Sequence, residues 1–232
     1  MPEWAKRVVV FDTETTGLSL TNDRIVTACA IELDANGQVV GERREWLANP
    51  GIPIPPIATS VHGITNEIAA RDGRPAGEVI GEILDTLRGY LNDGVAVVAY
   101  NAPYDFTILH FEALRHGFAP LDSPAPVIDP LVIDKKLDKW RKGSRKLEAV
   151  APLYGVSLEN AHTAADDAIA AGRVAQAIAR KFAGELPAEA MAMHEAQVAW
   201  SREQVLSFIA WKQKTEPNFY DEPGWPVKPV AN

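Results

Sequence analysis

The segment Val8-Val9-Val10-Phe11-Asp12-Thr13-Glu14-Thr15-Thr16-Gly17-Leu18 constrains this chain more than any other. Four apolar, β-favouring residues predict a buried strand, and they run straight into two carboxylates spaced i and i+2. Residues two apart in a strand project to the same face, so Asp12 and Glu14 are expected side by side at the strand's end. Adjacent carboxylates repel, which raises the cost of ionising both. A divalent cation removes that cost, and hard cations such as Mg²⁺ take oxygen ligands. A strand ending in two solvated acids, with Gly17 closing the turn, fits the same residues, so the segment alone leaves both readings open.

A chain of 232 residues suits one domain plus an appendage, or two small domains. Its hydrophobic content of 47% allows a substantial core, yet no apolar run reaches the length of a membrane span. Met1–Arg7 leads directly into the first strand, so no signal peptide is expected. The single cysteine, Cys29, sits in the apolar run Ile25–Ile31 and reads as a buried, inert thiol. One cysteine forms no internal disulfide, so a cytoplasmic location is expected. The net charge of −8 argues against a nucleic-acid binder, but it is unevenly spread. Residues 135–146 hold seven basic residues and one acid, a local +6 that leaves −14 for the rest. Such a patch on an acidic body can still track a phosphate backbone.

The patterning predicts strands at about 7–13, 25–34 and 38–48, the last two joined by the hairpin signal Asp34-Ala35-Asn36-Gly37. The proline-rich stretch from Asn49 to Pro56 reads as irregular, and Ile57–Thr65 as a loop. Helices are expected at about 65–72 and 76–92, a buried strand at about 95–100, a helix at about 104–116 and a short strand at Val127–Asp129. Helices at about 130–141, 145–154 and 163–183 follow. Strands first and alternating elements afterwards indicate an α/β protein with a mixed sheet covered by helices. Leu186-Pro187 marks a boundary between a domain at 1–185 and an extension at 186–232, a long helix over about 188–215 and a proline-rich tail.

Three further segments bear on Asp12 and Glu14. In Val97-Val98-Ala99-Tyr100-Asn101-Ala102-Pro103-Tyr104-Asp105, a strand ends and a helix opens with an acid in its first turn. In Ala161-His162-Thr163-Ala164-Ala165-Asp166-Asp167, a histidine precedes a helix by one residue and an aspartate by five. Val61-His62-Gly63-Ile64-Thr65 sets a glycine beside a histidine. Each alone has an ordinary structural explanation: an acid favoured by the helix dipole, a capping or surface histidine, a turn.

Together, in this order and spacing, these segments resemble the DEDDh exonucleases, the DnaQ-like family that includes proofreading epsilon subunits, ribonuclease T and oligoribonuclease. The resemblance covers about 6–183. Tyr100 stands where many members have histidine. The resemblance implies a ribonuclease-H-like fold, a mixed five-stranded sheet flanked by helices, here with a C-terminal helical extension. It implies a phosphodiester hydrolase that releases nucleoside monophosphates from 3′ ends with two divalent ions, Mg²⁺ or Mn²⁺. Asp12, Glu14, Asp105 and Asp167 would hold the metals, Asp12 bridging both, and His162 would be the general base. Thr15, Thr16, Gly17, Leu18, His62 and Ile64 would meet the terminal nucleotide, and Asn101 would contact the substrate.

Two metals clamp an anionic phosphate, generate the nucleophile and neutralise the leaving 3′-oxygen. A neutral imidazole takes the water's proton near pH 7. Asp166, three residues after Thr163, completes a capping box, so Asp166 has a structural role and family spacing gives Asp167 the metal. Arg141 and Lys142, with Lys139, Arg145 and Lys146, are expected to guide the substrate's phosphates, and Trp140 to stack on a base; a solvated charged face is the alternative. Single-stranded or 3′-overhanging nucleic acid is the expected partner, DNA rather than RNA, in repair or proofreading. The other reading is a docking subunit that binds a DNA polymerase, or itself, through the C-terminal helix with its aromatics Trp200, Phe208 and Trp211.

Overall fold

Val8–Thr15 forms β1, and Asp12 and Glu14 lie inside it rather than beyond its end. The computed structural model describes residues 1–158 and 163–229. β2 (Ile25–Leu33) and β3 (Val39–Asn49) follow antiparallel, joined by the expected turn. β5 (Ala96–Val98) and β6 (Val127–Ile128) add to the other side of β1, parallel to it. One strand was not expected: the two residues of β4, Arg74–Pro75, pair with Ala48 and Asn49 at the far edge. The sheet is therefore six-stranded, in the order β4-β3-β2-β1-β5-β6, rather than five-stranded. A two-residue strand starting at an arginine carries no alternation to detect.

β1 alternates between two cores. Val9 and Phe11 pack toward α3 (Ala76–Asn92) and α4 (Ala102–Arg115). Val8 and Val10 pack toward α7 (Ala164–Lys181). Asp12 and Glu14 continue the Val8–Val10 row, so they emerge where that row leaves the core. α7 sits very close to the sheet: a Cβ on Gly172 would lie 2.3 Å from Val10 Cγ1 and 2.6 Å from Leu33 Cδ1.

The segment expected to be a loop at 57–65 is instead mostly helical, α1 (Pro56–His62), ended by Gly63 at φ 77°. Paired prolines at 55 and 56 begin it, since proline suits a helix's first turn. α2 (Asn66–Asp72) is capped by Thr65, whose side chain accepts from the Ile68 N–H at 3.2 Å. The expected helix at 130–141 stops at Leu137 as α5 (Pro130–Leu137). The next begins late, as α6 (Leu147–Val150) and a 3₁₀ turn at Ala151–Tyr154. The chain between them is drawn inward by Asp134, which is fully buried.

The extension, chiefly α8 (Ala190–Lys212), packs back on its own domain and covers the edge strand β6. Val127 N–H donates to His194 Nδ1 (3.1 Å) and Asp129 N–H to Gln197 Oε1 (2.7 Å), while Gln197 Nε2 donates to Val127 O (3.1 Å). Two side chains thus satisfy an edge that would otherwise invite another strand. The tail returns to the domain as well, with Lys228 N–H donating to Thr107 Oγ1 at 2.9 Å.

Candidate active site

β5 pairs with β1 only through Val98, opposite Val10, so the N–H of Thr13 has no strand partner on that side. Asp105, in the first turn of α4, takes its place. Thr13 N–H and Thr13 Oγ1 both donate to Asp105 Oδ1, at 3.0 and 2.7 Å. Asp105 is 2% exposed. It is brought to β1 by Asn101, the residue before α4, which adopts a left-handed backbone (φ 65°). That conformation is held from outside the segment: Asn101 and Ala102 N–H groups donate to the two oxygens of buried Asp129, each at 3.0 Å. Leu131 N–H donates to the same carboxylate at 2.9 Å.

On the opposite side, Thr163 caps α7 and accepts from the Asp166 N–H at 3.2 Å, while its hydroxyl donates to Asp166 Oδ2 at 2.9 Å. Thr163 is therefore the helix cap, but the reciprocal bond of a capping box is replaced: among the described residues Asp166 accepts from the Thr163 hydroxyl and not from its backbone N–H. The helix turns its next acid, Asp167, toward β1, because the Asp167 charge acts on both Asp12 and Glu14.

Four carboxylates thus share one cleft, and their protonation shows it. Asp12 is pushed well above the ordinary carboxylate range by burial, then by Asp105, Glu14 and Asp167. Glu14 is pushed up to about 7 by burial, then by Asp167. Asp105 is also pushed up to about 7 by burial, against the pull of the Thr13 hydrogen bonds. Among the described residues no group of three Asp, Glu, His or Cys side chains is placed to hold a metal ion; these groups act on one another as charges across the cleft. The donor set nonetheless fits a hard divalent cation: oxygens only, mutually repelling, each repulsion relieved by positive charge. His162, expected as the base, lies outside the described residues.

A cavity of about 280 Å³ opens beside Glu14, lined by Thr27, Cys29, Glu45, Trp46, Leu47, His62, Ile64 and Thr163–Ala165. It joins the expected pair His62 and Ile64 to the carboxylates. The His62 Nδ1 accepts from the Ile64 N–H at 3.1 Å, which leaves the ring proton to Nε2, a buried atom with no hydrogen-bond partner among the described residues; burial lowers the ring's pKa. The loop after β1 is held rigidly. Thr16 Oγ1 and the Ser19 N–H donate to Asp23 at 2.8 and 2.7 Å, and a Cβ on Gly17 would sit 2.7 Å from that carboxylate. The hydroxyls of Thr15 and Tyr104 lie 2.5 Å apart, each 2.7 Å from Gly17 O. Leu18 stands 88% exposed at the rim.

The basic run behaves differently from expectation. Arg141 is not a free phosphate ligand: its guanidinium donates to Asp134 Oδ2 (2.6 Å) and Asp138 Oδ2 (3.0 Å). Arg145 also reaches Asp134 Oδ2, at 2.6 Å. A buried carboxylate needs such partners, and the two arginines are committed to it. Lys142 and Trp140 are exposed and line none of the clefts beside the carboxylates. Sequence reasoning missed Asp129 and Glu45. The Asp129-Pro130 step, an N-cap with proline at N1, was the one local sign of Asp129; nothing local marked Glu45. A roomier concavity, about 520 Å³, lies between β3 and α3, away from the carboxylates, and is lined by paired charges such as Arg74 with Glu82.

Comparison with known proteins places these features in a wider set. The RNase_T model, an exonuclease family, matches residues 9–175. The chain is 35% identical over 165 residues to a DNA polymerase III subunit epsilon-like protein of Rhodobacter capsulatus, covering 70% of this chain and 22% of that protein. It is 33% identical over 175 residues to a PolC-type DNA polymerase III of Lacticaseibacillus paracasei, covering 75% and 11% respectively. The chain thus spans a quarter or less of these relatives. In structure it resembles the zinc-ion-bound complex of E. coli exonuclease I with single-stranded DNA, at a TM-score of 0.66 and 20% identity, over 88% of this chain and 45% of that one. At that identity the likeness speaks for the fold.

Proposed function

Because the chain belongs to the RNase_T exonuclease family, as a domain of the DEDDh 3′-to-5′ type, we propose that it hydrolyses single-stranded or 3′-overhanging nucleic acid from the 3′ end, DNA in preference to RNA. The observation that carries this is the convergence of Asp12, Glu14, Asp105 and Asp167, from three elements, beside a cavity of about 280 Å³. Asp12, Glu14, Asp105 and Asp167 would hold two divalent cations, Mg²⁺ or Mn²⁺. Bound there, the cations supply electrophilic activation of the phosphodiester and charge neutralisation of the leaving oxygen.

The chain's own residues then have separable tasks. Thr13 orients Asp105 through two hydrogen bonds. His62, Ile64 and the backbone of Thr15–Leu18 hold the terminal nucleotide, with Ile64 against its base. His162 takes the proton of the attacking water. A cavity beside the acids rather than an open groove through them favours release of single terminal nucleotides over internal cutting.

The test compares 3′-labelled and 5′-labelled oligonucleotides, DNA and RNA, with and without Mg²⁺, for wild type and Asp12→Ala. Mononucleotide release from an open 3′ end, blocked by a 3′ cap and lost in Asp12→Ala, is expected. Activity that survives EDTA, or nicking of a circle, would refute the proposal.

The relatives' names favour a companion reading, association with a DNA polymerase. Leu206, Phe208 and Trp211 of α8 are 49, 43 and 61% exposed and offer an apolar contact. Size-exclusion chromatography alone and with a polymerase distinguishes this from self-association.

A further inference from the structure

The sheet order sets a direction across the site. The cavity beside Glu14 is built on β2 and β3, to one side of β1. On the other side, at the carboxyl ends of β5 and β6, lies a second cleft of about 450 Å³, lined by Tyr100, Asn101, Leu131, Lys135, Arg145, Lys146 and Leu147. Neighbouring strands are about 4.8 Å apart, so Asn101, one strand over from Asp12, stands within roughly one nucleotide's reach of the acids. A polymer whose end fills the first cavity and whose scissile bond lies at the carboxylates must leave past Asn101.

The cations of this second cleft are not equivalent. Arg145 is spent on Asp134, and Lys146 is mostly exposed and lies 3.7 Å from Glu148. Lys135 differs from both. It is half-buried in the last turn of α5 and has neither hydrogen bond nor ion pair among the described residues. Burial, which disfavours its charged form, lowers its pKa. It also lines the adjoining cleft of about 210 Å³ with Asn101, Pro103 and Trp225, so it stands where the two clefts meet. A half-buried ammonium with no hydrogen bond or ion pair among the described residues, its charge favoured only by the more distant Asp129 and Asp134, at the mouth of a cleft, matches the charge and hydrogen-bonding needs of an anion.

We propose that Lys135 binds a backbone phosphate of the nucleic-acid chain on the 5′ side of the scissile bond, one cleft beyond the carboxylates. This rests on the exonuclease reading above, and it names Lys135 where the sequence alone pointed to Arg141 and Lys142.

Lys135→Gln and Lys135→Arg are compared with wild type on two substrates. One is oligo-dT of two to eight nucleotides; the other is the p-nitrophenyl ester of thymidine 5′-monophosphate, which has no further phosphate. Lys135→Gln should raise KM for the eight-mer about tenfold, the equivalent of one charge-assisted contact. It should flatten the slope of log affinity against log salt by about 0.7. The ester's kcat/KM should not change, and Lys135→Arg should restore the eight-mer. A wild-type dependence on length in Lys135→Gln, or an equal loss on the ester, overturns the proposal. A wild type inert toward both substrates refutes the exonuclease reading instead. Fluorescence anisotropy of a 5′-labelled eight-mer, with Ca²⁺ as the metal, then decides on Lys135 alone: a tenfold weaker Kd in Lys135→Gln supports it, an unchanged Kd overturns it.

Discussion

Glu14→Gln in metal-free protein tests the electrostatics of the cleft directly. The Glu14 carboxyl is pushed from an ordinary 4.5 up to about 7, first by burial and then by Asp167. A carboxyl whose folded pKa lies above its unfolded one holds its proton more tightly when folded. The stability it contributes is complete below about 4.5 and gone above about 7. The gap corresponds to roughly 3 kcal/mol, and to about 2 kcal/mol after allowing for the solvent that reaches Glu14. For a chain of this size that equals roughly 4–8 °C in Tm. Thermal unfolding in EDTA from pH 5 to pH 8 should therefore show wild type losing that much relative to Glu14→Gln, which has no proton to release. Asp105, also near 7, should add to the wild-type slope in the same direction. With Mg²⁺ present the wild-type trend should reverse, because metal binding requires the ionised acids. Parallel Tm curves for wild type and Glu14→Gln in EDTA would refute the claim that these carboxylates repel across one cleft.

Asp167→Asn should abolish turnover, whereas Asp166→Asn should cost about 0.5–2 kcal/mol of stability, as a weakened helix cap does, and leave turnover near normal; steady-state kinetics with urea unfolding separates them. Asp129→Ala should destabilise by about 2–4 kcal/mol, because it strands the buried N–H of Ala102 and the part-buried N–H groups of Asn101 and Leu131. A urea midpoint within about 0.5 kcal/mol of wild type would show that water replaces the carboxylate. Gly172→Ala should cost about 1–3 kcal/mol by overpacking, despite the helix propensity gained; a raised Tm would mean that α7 can move off β1.

Much of the candidate site is local in origin. Period-two spacing sets Asp12 and Glu14 on one face whatever surrounds the strand. The three-residue interval from Thr163 to Asp166 pairs the cap hydroxyl with Asp166 through its own atoms, and so leaves Asp167 to face the cleft. The turn before β3 follows from the residues within it. These features depend on chain geometry over a few residues, and a sequence displays that geometry completely.

What the tertiary structure alone decided involves choosing between partners far apart in the chain. Seven cations in one run look alike as letters. Only the burial of Asp134, which then needs compensating charge, commits Arg141 and Arg145 and leaves Lys135 unpaired. Asp129 reads as an ordinary helix cap until the fold brings it to Asn101, 28 residues away in sequence, where it holds a backbone conformation that most residues avoid. α8 shows no orientation by itself; the unpaired edge of β6 draws His194 and Gln197 onto it. In each case the outcome depends on which polar group is buried and on what can reach it, which local spacing does not encode.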